Sequence, residues 1–210
     1  MLKLHLDILD KKRLQVFQQL QEVCQKNWIL GGGTAIALQL NHRKSYDFDI
    51  FLPHEVPTNL LTTINQAFTS YKIRPTIDTK QELSLLLTEQ IKLTFFCFPF
   101  PHLHPPIKSN SINLFSLTDL ASNKAYVIGR RGEWKDYVDL YFCLLGKHVN
   151  IYTILKETEQ RFKGNFDKKL FWEQLVYYQD LKDFKIDYVG KTTSKNTIQN
   201  YFEDLTKTKF

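Results

Sequence analysis

The sequence predicts an α/β (α+β) protein: a mixed β-sheet core of about five strands with flanking helices, followed by a helical C-terminal part. Three patterns carry that reading. "YDFDIFL" (46–52) alternates with the period of two that a half-buried strand requires. Three β-rich runs follow close together, "KIRPTID" (72–78), "LSLLLTE" (83–89) and "IKLTFFCF" (91–98). Apolar residues at helical spacing then flank this block on both sides.

In chain order, Leu14, Phe17, Leu20 and Cys24 recur at helical spacing, so 11–26 is a helix capped by Asp10 with Asn27 as its exit. "WIL" (28–30) is a short buried strand. "TAIALQL" (34–40) is a short apolar helix that starts directly after three glycines. In 46–52, Asp47 and Asp49 share one strand face, with Phe48 and Ile50 on the other. Thr58 caps a helix over 59–71. The tight Glu89-Gln90 junction makes a hairpin of the last two β-runs, and "PHLHPPIKSNS" (101–111) is a loop. Ser116 and Asp119 form a capping box for a helix over 117–130, ended by Gly132. A second helix covers 133–145, and 150–210 holds two or three amphipathic helices. The expected division is an α/β core over 1–115 and a helical part over 116–210.

Composition narrows the function classes. With 43% hydrophobic residues, 14% aromatics, 7 prolines and 8 glycines, the 210-residue chain is not a disordered one. No apolar run approaches the roughly 20 residues of a membrane span. The N-terminus alternates and lacks a signal-peptide apolar block, so the expectation is a soluble, cytoplasmic protein. Cys24, Cys97 and Cys143 lie far apart without metal or redox spacing. The net charge of +6 is diffuse, densest at "GRRGEWK" (129–135), and permits a polyanionic partner without demanding one.

Chemistry concentrates in "GGGTAIALQLNHRKSYDFDIF" (31–51). Two carboxylates on one strand face, about 7 Å apart along the strand, bracket a hard cation such as Mg²⁺, which takes oxygen ligands. Gly32 and Gly33, lacking Cβ, let the backbone approach a ligand. The N–H groups that open the helix at Thr34 favour a phosphate, and the Thr34 hydroxyl adds a donor. The unit therefore places a triphosphate on the helix start and the metal between it and Asp47 and Asp49. No Lys-Ser/Thr follows the glycines as in a P-loop, and no third glycine is placed for a dinucleotide fold. Arg43 is a loop residue that reaches phosphate or caps the rim. His102 and His104 have no third ligand in view.

The segment "LGGGTAIALQLNHRKSYDFDIF" (30–51) resembles the signature of the DNA polymerase β-like nucleotidyltransferase superfamily. Its Gly-Gly-Thr…His-Arg-x-Ser-x-Asp-x-Asp form is similar to the AbiEii/AbiGii toxin family. "LASNKAYVIGRRGEWKDYVDLYFCL" (120–144) resembles that family's downstream pattern of a Lys, Arg residues and Asp-x-x-Asp-Leu. The two segments cover about a quarter of the chain.

The resemblance implies a nucleotidyltransferase-type core and a Mg²⁺- or Mn²⁺-dependent transfer of a nucleoside monophosphate from an NTP. The acceptor would be RNA, tRNA above all, or a protein, and the chain would be the toxin of a toxin–antitoxin pair with a cognate antitoxin. The alternatives are a silent NTP- or RNA-binding module and a modifying antitoxin. Gly32, Gly33, Thr34, Arg43 and Ser45 would bind nucleotide, Asp47 and Asp49 the metal, and Lys124, Asp136 and Asp139 would form the second motif. Lys124 would neutralise triphosphate as a point charge. Asp136 and Asp139 share a helix face, and one of them would orient Lys124, reach the metal or act as base. The superfamily usually carries a third acidic residue on a later core strand. Here Thr94 stands at that place, and Asp78 and Glu89 lie at strand ends.

Overall fold

The computed structural model describes residues 3–88, 90–128 and 130–207. Its elements are α1 (Lys11–Val23), β1 (Ile29–Leu30), α2 (Gly32–Leu40), β2 (Phe48–Leu52), α3 (Leu60–Ala67), β3 (Ile73–Asp78), β4 (Glu82–Leu87), β5 (Ile91–Cys97), α4 (Leu117–Val127), α5 (Trp134–Leu145), α6 (Ile151–Phe162), α7 (Lys168–Leu175) and α8 (Lys195–Lys207), with a 3-10 turn over Leu6–Ile8. The five strands form one mixed sheet in the order β1-β2-β5-β4-β3. β2 pairs parallel with β5, and the other pairs are antiparallel.

Alternation divides this sheet into an apolar and a polar face. Phe48, Ile50 and Leu52 of β2, Leu83, Leu85 and Leu87 of β4, and Ile91, Leu93 and Phe95 of β5 are buried together. Phe17 of α1 stacks on Phe48 with ring centroids 6.4 Å apart, so α1 covers that face. The opposite face carries Asp49 and Phe51, Glu82 and Ser84, and Thr94 and Phe96. Parallel register sets Asp49 beside Thr94, and antiparallel register sets Thr94 beside Ser84 and Phe96 beside Glu82. β3 is an exposed edge strand with an irregularity between Pro75 and Ile77, where a proline is tolerated because no ladder bond is required of it. α2 packs against α4 and α5, α4 against α6, and α5 against α8. One hydrophobic cluster runs from Ile8 to Phe202.

Several boundaries differ from the sequence expectation. α1 ends at Val23 because Cys24 already has extended backbone, three residues before Asn27. α3 is shorter than 59–71, and its N-cap is Asn59, without a side-chain bond, in place of Thr58. α4 stops at Val127, ahead of Gly132, where Ile128 turns extended. Asp47 precedes β2, and β4 begins one residue earlier than expected, at Glu82. The β4–β5 hairpin is present, with Leu87 opposite Ile91; Glu89 lies outside the described residues. At the α4 start, Ser116 Oγ accepts from the Asp119 amide at 3.1 Å. The Asp119 carboxylate then accepts from the Leu103 and His104 amides, which fastens the Pro-rich loop to the helix. The three cysteines are free thiols, and burial pushes Cys24 and Cys143 far above the usual thiol range.

Candidate active site

The polar sheet face and α4 enclose a cleft of about 400 Å³, lined among others by Gly32, Asp49, Glu82, Lys92, Thr94, Lys124 and Arg131. Gly32 and Asp49 meet at its inner end. Gly32 has φ +65°, in the left-handed region, and a Cβ placed there would stand 2.2 Å from Asp49 Oδ2. The helix start and the carboxylate are therefore as close as backbone permits. Gly31 N–H donates to the Asp49 carbonyl at 2.9 Å, which fixes β2 against the turn. We expect Gly32→Ala to cost about 1–3 kcal/mol through backbone strain alone and to displace the Asp49 carboxylate. A melting temperature and activity both equal to wild type would refute that contact.

Asp49 is half-buried and Asp47 exposed. Burial, then the like charge of Asp47, raises the Asp49 carboxyl above its ordinary range, against the opposing fields of Lys124, Arg131 and Lys92. No donor among the described residues bonds either carboxylate.

Behind the turn lies a buried charge network. Asp139, with no exposed surface, accepts three hydrogen bonds, from Arg43 Nε at 2.7 Å, Arg43 Nη2 at 2.9 Å and His42 Nε2 at 2.8 Å, and forms an ion pair with Lys124 Nζ at 2.7 Å. Lys124 Nζ also donates to Asp136 Oδ1 at 2.7 Å, and Arg131 holds Asp136 through Nε and Nη2 at 2.7 and 2.9 Å. Burial alone would raise the Asp139 carboxyl; the charges of Arg43 and Lys124 outweigh it and hold Asp139 well below the carboxylate range. Asp136 is held low in the same way by Lys124 and Arg131. Burial would lower Lys124, but Asp136 and Asp139 outweigh it and keep the ammonium charged. Burial lowers His42 despite Asp139, so its neutral ring donates from Nε2. Arg43, Lys124 and Arg131 against two carboxylates leave one positive charge in excess, and Lys124 and Arg131 face the cleft.

Some expected roles change. The Thr34 hydroxyl, expected as a phosphate donor, is buried; it donates to the Asp47 carbonyl and shares a 2.9 Å bond with Ser45 Oγ. Thr34 and Ser45 thus tie α2 to the residues that enter β2 and position the Asp47 backbone. Arg43, expected to reach phosphate or cap the rim, is buried against Asp139, with its guanidinium lying over Gly33. A Cβ on Gly33 would stand 2.1 Å from Arg43 Nη2, so the missing side chain there makes room for Arg43. Asp136 and Asp139 are unsuited as bases, since every lone pair that faces a partner already binds a cation or a ring N–H. His104 Nε2 bonds Glu157, and His102 Nδ1 bonds the His104 carbonyl. Sequence reasoning left Arg131, Lys92 and Glu82 unassigned. The basic run at 129–135 flagged Arg131; Lys92 and Glu82 needed the strand register.

With this geometry in place, the comparisons with known proteins can be read. A sequence model of the nucleotidyl transferase AbiEii toxin family, type IV toxin–antitoxin system, matches residues 19–207. The chain belongs to that AbiEii family. It is a toxin-type nucleotidyltransferase. An uncharacterised protein of Aquifex aeolicus (strain VF5) is 31% identical over 159 residues, 75% of this chain and 76% of that one. Among solved structures, MenT4, a nucleotidyltransferase toxin of Mycobacterium tuberculosis H37Rv, superposes with TM-score 0.58 at 12% identity over 91% of this chain and 82% of that one. JHP933 of Helicobacter pylori superposes with TM-score 0.52 at 16% identity over 95% and 97%. At such identities these likenesses speak for the nucleotidyltransferase fold. In the AbiEii chain, no helix among the described residues is long and apolar enough to cross a membrane.

Proposed function

We propose that this AbiEii protein transfers a nucleoside monophosphate from an NTP to RNA, in a reaction that requires a divalent cation and that a cognate antitoxin restrains. The observation that carries the reading is the contact between Gly32 and Asp49, which joins a helix start to a carboxylate free of donors. The N-terminus of α2 presents unpaired amides and the positive end of its dipole, a natural seat for phosphate.

The donor set suits a hard cation. Asp47 and Asp49 repel each other, and Asp49 is partly desolvated, so the pair is stabilised when a cation neutralises it. Among the described residues no three His, Cys, Asp or Glu side chains converge on one point. Asp47 and Asp49 would therefore hold Mg²⁺ or Mn²⁺ with phosphate oxygens and water as the remaining ligands. A bound ion supplies Lewis-acid polarisation of the α-phosphate and neutralises the leaving pyrophosphate. The chain's own residues do the rest. Lys124 and Arg131 meet the triphosphate charge, and Asp136 and Asp139 fix both cations in place before substrate arrives. Asp139 is a positioning residue. An acceptor hydroxyl that attacks the α-phosphorus forms the new P–O bond and loses its proton to water as the bond to pyrophosphate breaks.

Incubating the protein with each α-labelled NTP, Mg²⁺ and total RNA tests this. Label should enter RNA, and Asp47→Asn should prevent it. Label that enters a protein and never RNA would overturn the acceptor assignment, and no transfer under any NTP would overturn the reading.

A further inference from the structure

Asp47 and Asp49 are held in different ways. Asp49 sits inside the β2 ladder, opposite Thr94, and its carbonyl accepts from the Gly31 amide. Asp47 stands one residue before the paired register, which begins at Phe48. Its carbonyl is tied inward by the Thr34 hydroxyl. The neighbour that anchors it outward is Tyr46.

Tyr46 is 41% exposed, yet two remote elements grip it. Arg13 of α1 donates from Nε to the Tyr46 carbonyl at 3.1 Å and lays its guanidinium over the ring, 4.9 Å from the centroid. Arg13 is itself braced at 3.1 Å on the Gln90 carbonyl, in the β4–β5 turn. The Tyr46 hydroxyl donates to the Asp187 carboxylate, in the connection between α7 and α8. That connection runs antiparallel beside the chain that enters β2, with Tyr188 bridged to Arg43. Lys44 N–H donates to the Asp187 carbonyl at 2.7 Å, and Val189 N–H donates to the His42 carbonyl at 3.1 Å. Asp187 therefore holds this segment twice, once by backbone and once by side chain.

Alternation turns that grip into aim. Along an extended chain successive side chains point to opposite faces. Tyr46 and Phe48, two residues apart, both meet α1, through Arg13 and Phe17 one helical turn apart. The alternation of β2 thus holds back to Tyr46, and Asp47 shares the cleft side with Asp49. A Tyr46 pinned toward α1 keeps Asp47 on that side.

We infer that Tyr46 and Asp187 are positioning residues for the metal, a latch from the C-terminal segment that holds Asp47 where it can share a divalent cation with Asp49. This rests on the metal reading above and adds what that reading lacks, a reason for an exposed carboxylate outside the sheet register to be in place before the ion arrives. Groups that orient a metal ligand from behind are worth about 10–100-fold in affinity or activity.

Mn²⁺ binding, followed by loss of the free ion's paramagnetic resonance signal, tests the latch without turnover. Asp47→Asn should remove the site, a result that upholds the metal reading by itself. Tyr46→Phe keeps the ring and its contact with Arg13 and loses the hydroxyl alone; it should weaken Mn²⁺ at least about tenfold. Asp187→Ala keeps the backbone bond to Lys44 and should weaken the ion to the same degree. Asp187→Asn, whose amide oxygen still accepts from the tyrosine, should bind close to wild type. The double variant of Tyr46→Phe with Asp187→Ala should bind no more weakly than either single one, because the two share one bond. Asp183→Asn removes a carboxylate from the same surface pocket as Asp187, one that bonds the Lys185 amide, and should leave Mn²⁺ affinity unchanged. The Mg²⁺ concentration that half-saturates transfer should rise in the weakened variants by the same factor. Melting temperatures should stay within about 2 °C of wild type, since one exposed hydrogen bond contributes little. Wild-type Mn²⁺ affinity in Tyr46→Phe and Asp187→Ala would overturn the latch. A loss as large in Asp187→Asn or Asp183→Asn would overturn it too, by tracing the effect to charge. So would a loss that comes with a fall of several degrees in melting temperature. A wild-type protein that binds no Mn²⁺ would overturn both the latch and the metal reading.

Discussion

Asp139→Asn should be among the most destabilising single changes in this chain, at about 3–5 kcal/mol, the cost of leaving buried cations uncompensated. Asp139 has no exposed surface, accepts three hydrogen bonds from Arg43 and His42 and pairs with Lys124. An amide of the same shape offers one acceptor oxygen and places its NH₂ against a guanidinium or an ammonium. For a domain of this size about 1 kcal/mol corresponds to roughly 2–4 °C, so thermal melting should fall by about 10 °C. A fall under about 2 °C would show that the network contributes nothing net. Adding Arg43→Met should restore part of the loss, since removing both members of a buried pair costs less than removing one.

The pH dependence follows from the same carboxylate. Arg43 and Lys124 outweigh burial and hold Asp139 below its unfolded value. A depressed folded pKa contributes stability that is fully present above the unfolded value of about 3.9 and is lost as pH falls through the folded one. Wild-type stability should therefore drop steeply on acidification below about pH 4, and Asp139→Asn should show a shallower acid limb.

How much of this was legible in the sequence depends on how local each signal is. The period-two alternation of 46–52 is local, so the apolar face of Phe48 and Ile50 and the cleft face of Asp49 could be read directly. The glycines next to an apolar helix marked a turn for the same reason. The side-chain partners of Thr34 and Arg43 were not legible, because they lie 11, 13 and 96 positions away. Arg43 bonds a residue 96 positions away, and nothing near it in sequence says that its guanidinium lies over Gly33 rather than in the cleft. Glu82 was missed by one residue. A strand begun at 83 leaves Glu82 in a turn, whereas the observed pairing opposite Phe96 carries it onto the cleft face. Thr94 does stand beside Asp49, where the superfamily resemblance looked for an acid. The carboxylate on that face lies one strand over and two residues along.

Asp49→Asn should abolish transfer and stabilise the fold at once. Asp49 is half-buried, lacks a donor among the described residues and lies beside Asp47, which raises its carboxyl on top of burial. A raised folded pKa means that its contribution to stability is present below the unfolded value of about 3.9 and is lost as pH rises through the folded one. At neutral pH the ionised carboxylate therefore works against folding, and a neutral isostere removes that penalty. The melting temperature should rise by a few degrees, as expected when a site is shaped for function at some cost in stability. Transfer should fall by at least about 100-fold, because the loss of a ligand exceeds the 10–100-fold typical of an outer-shell partner. Mg²⁺ should raise the wild-type melting temperature and leave the variant's unchanged, because only a site that binds the ion in the folded state couples it to stability. Asp47→Asn should also abolish transfer, with little change in melting because Asp47 is exposed. An Asp49→Asn protein that melts several degrees lower than wild type would show that the carboxylate is structural, and the metal assignment would fall with it.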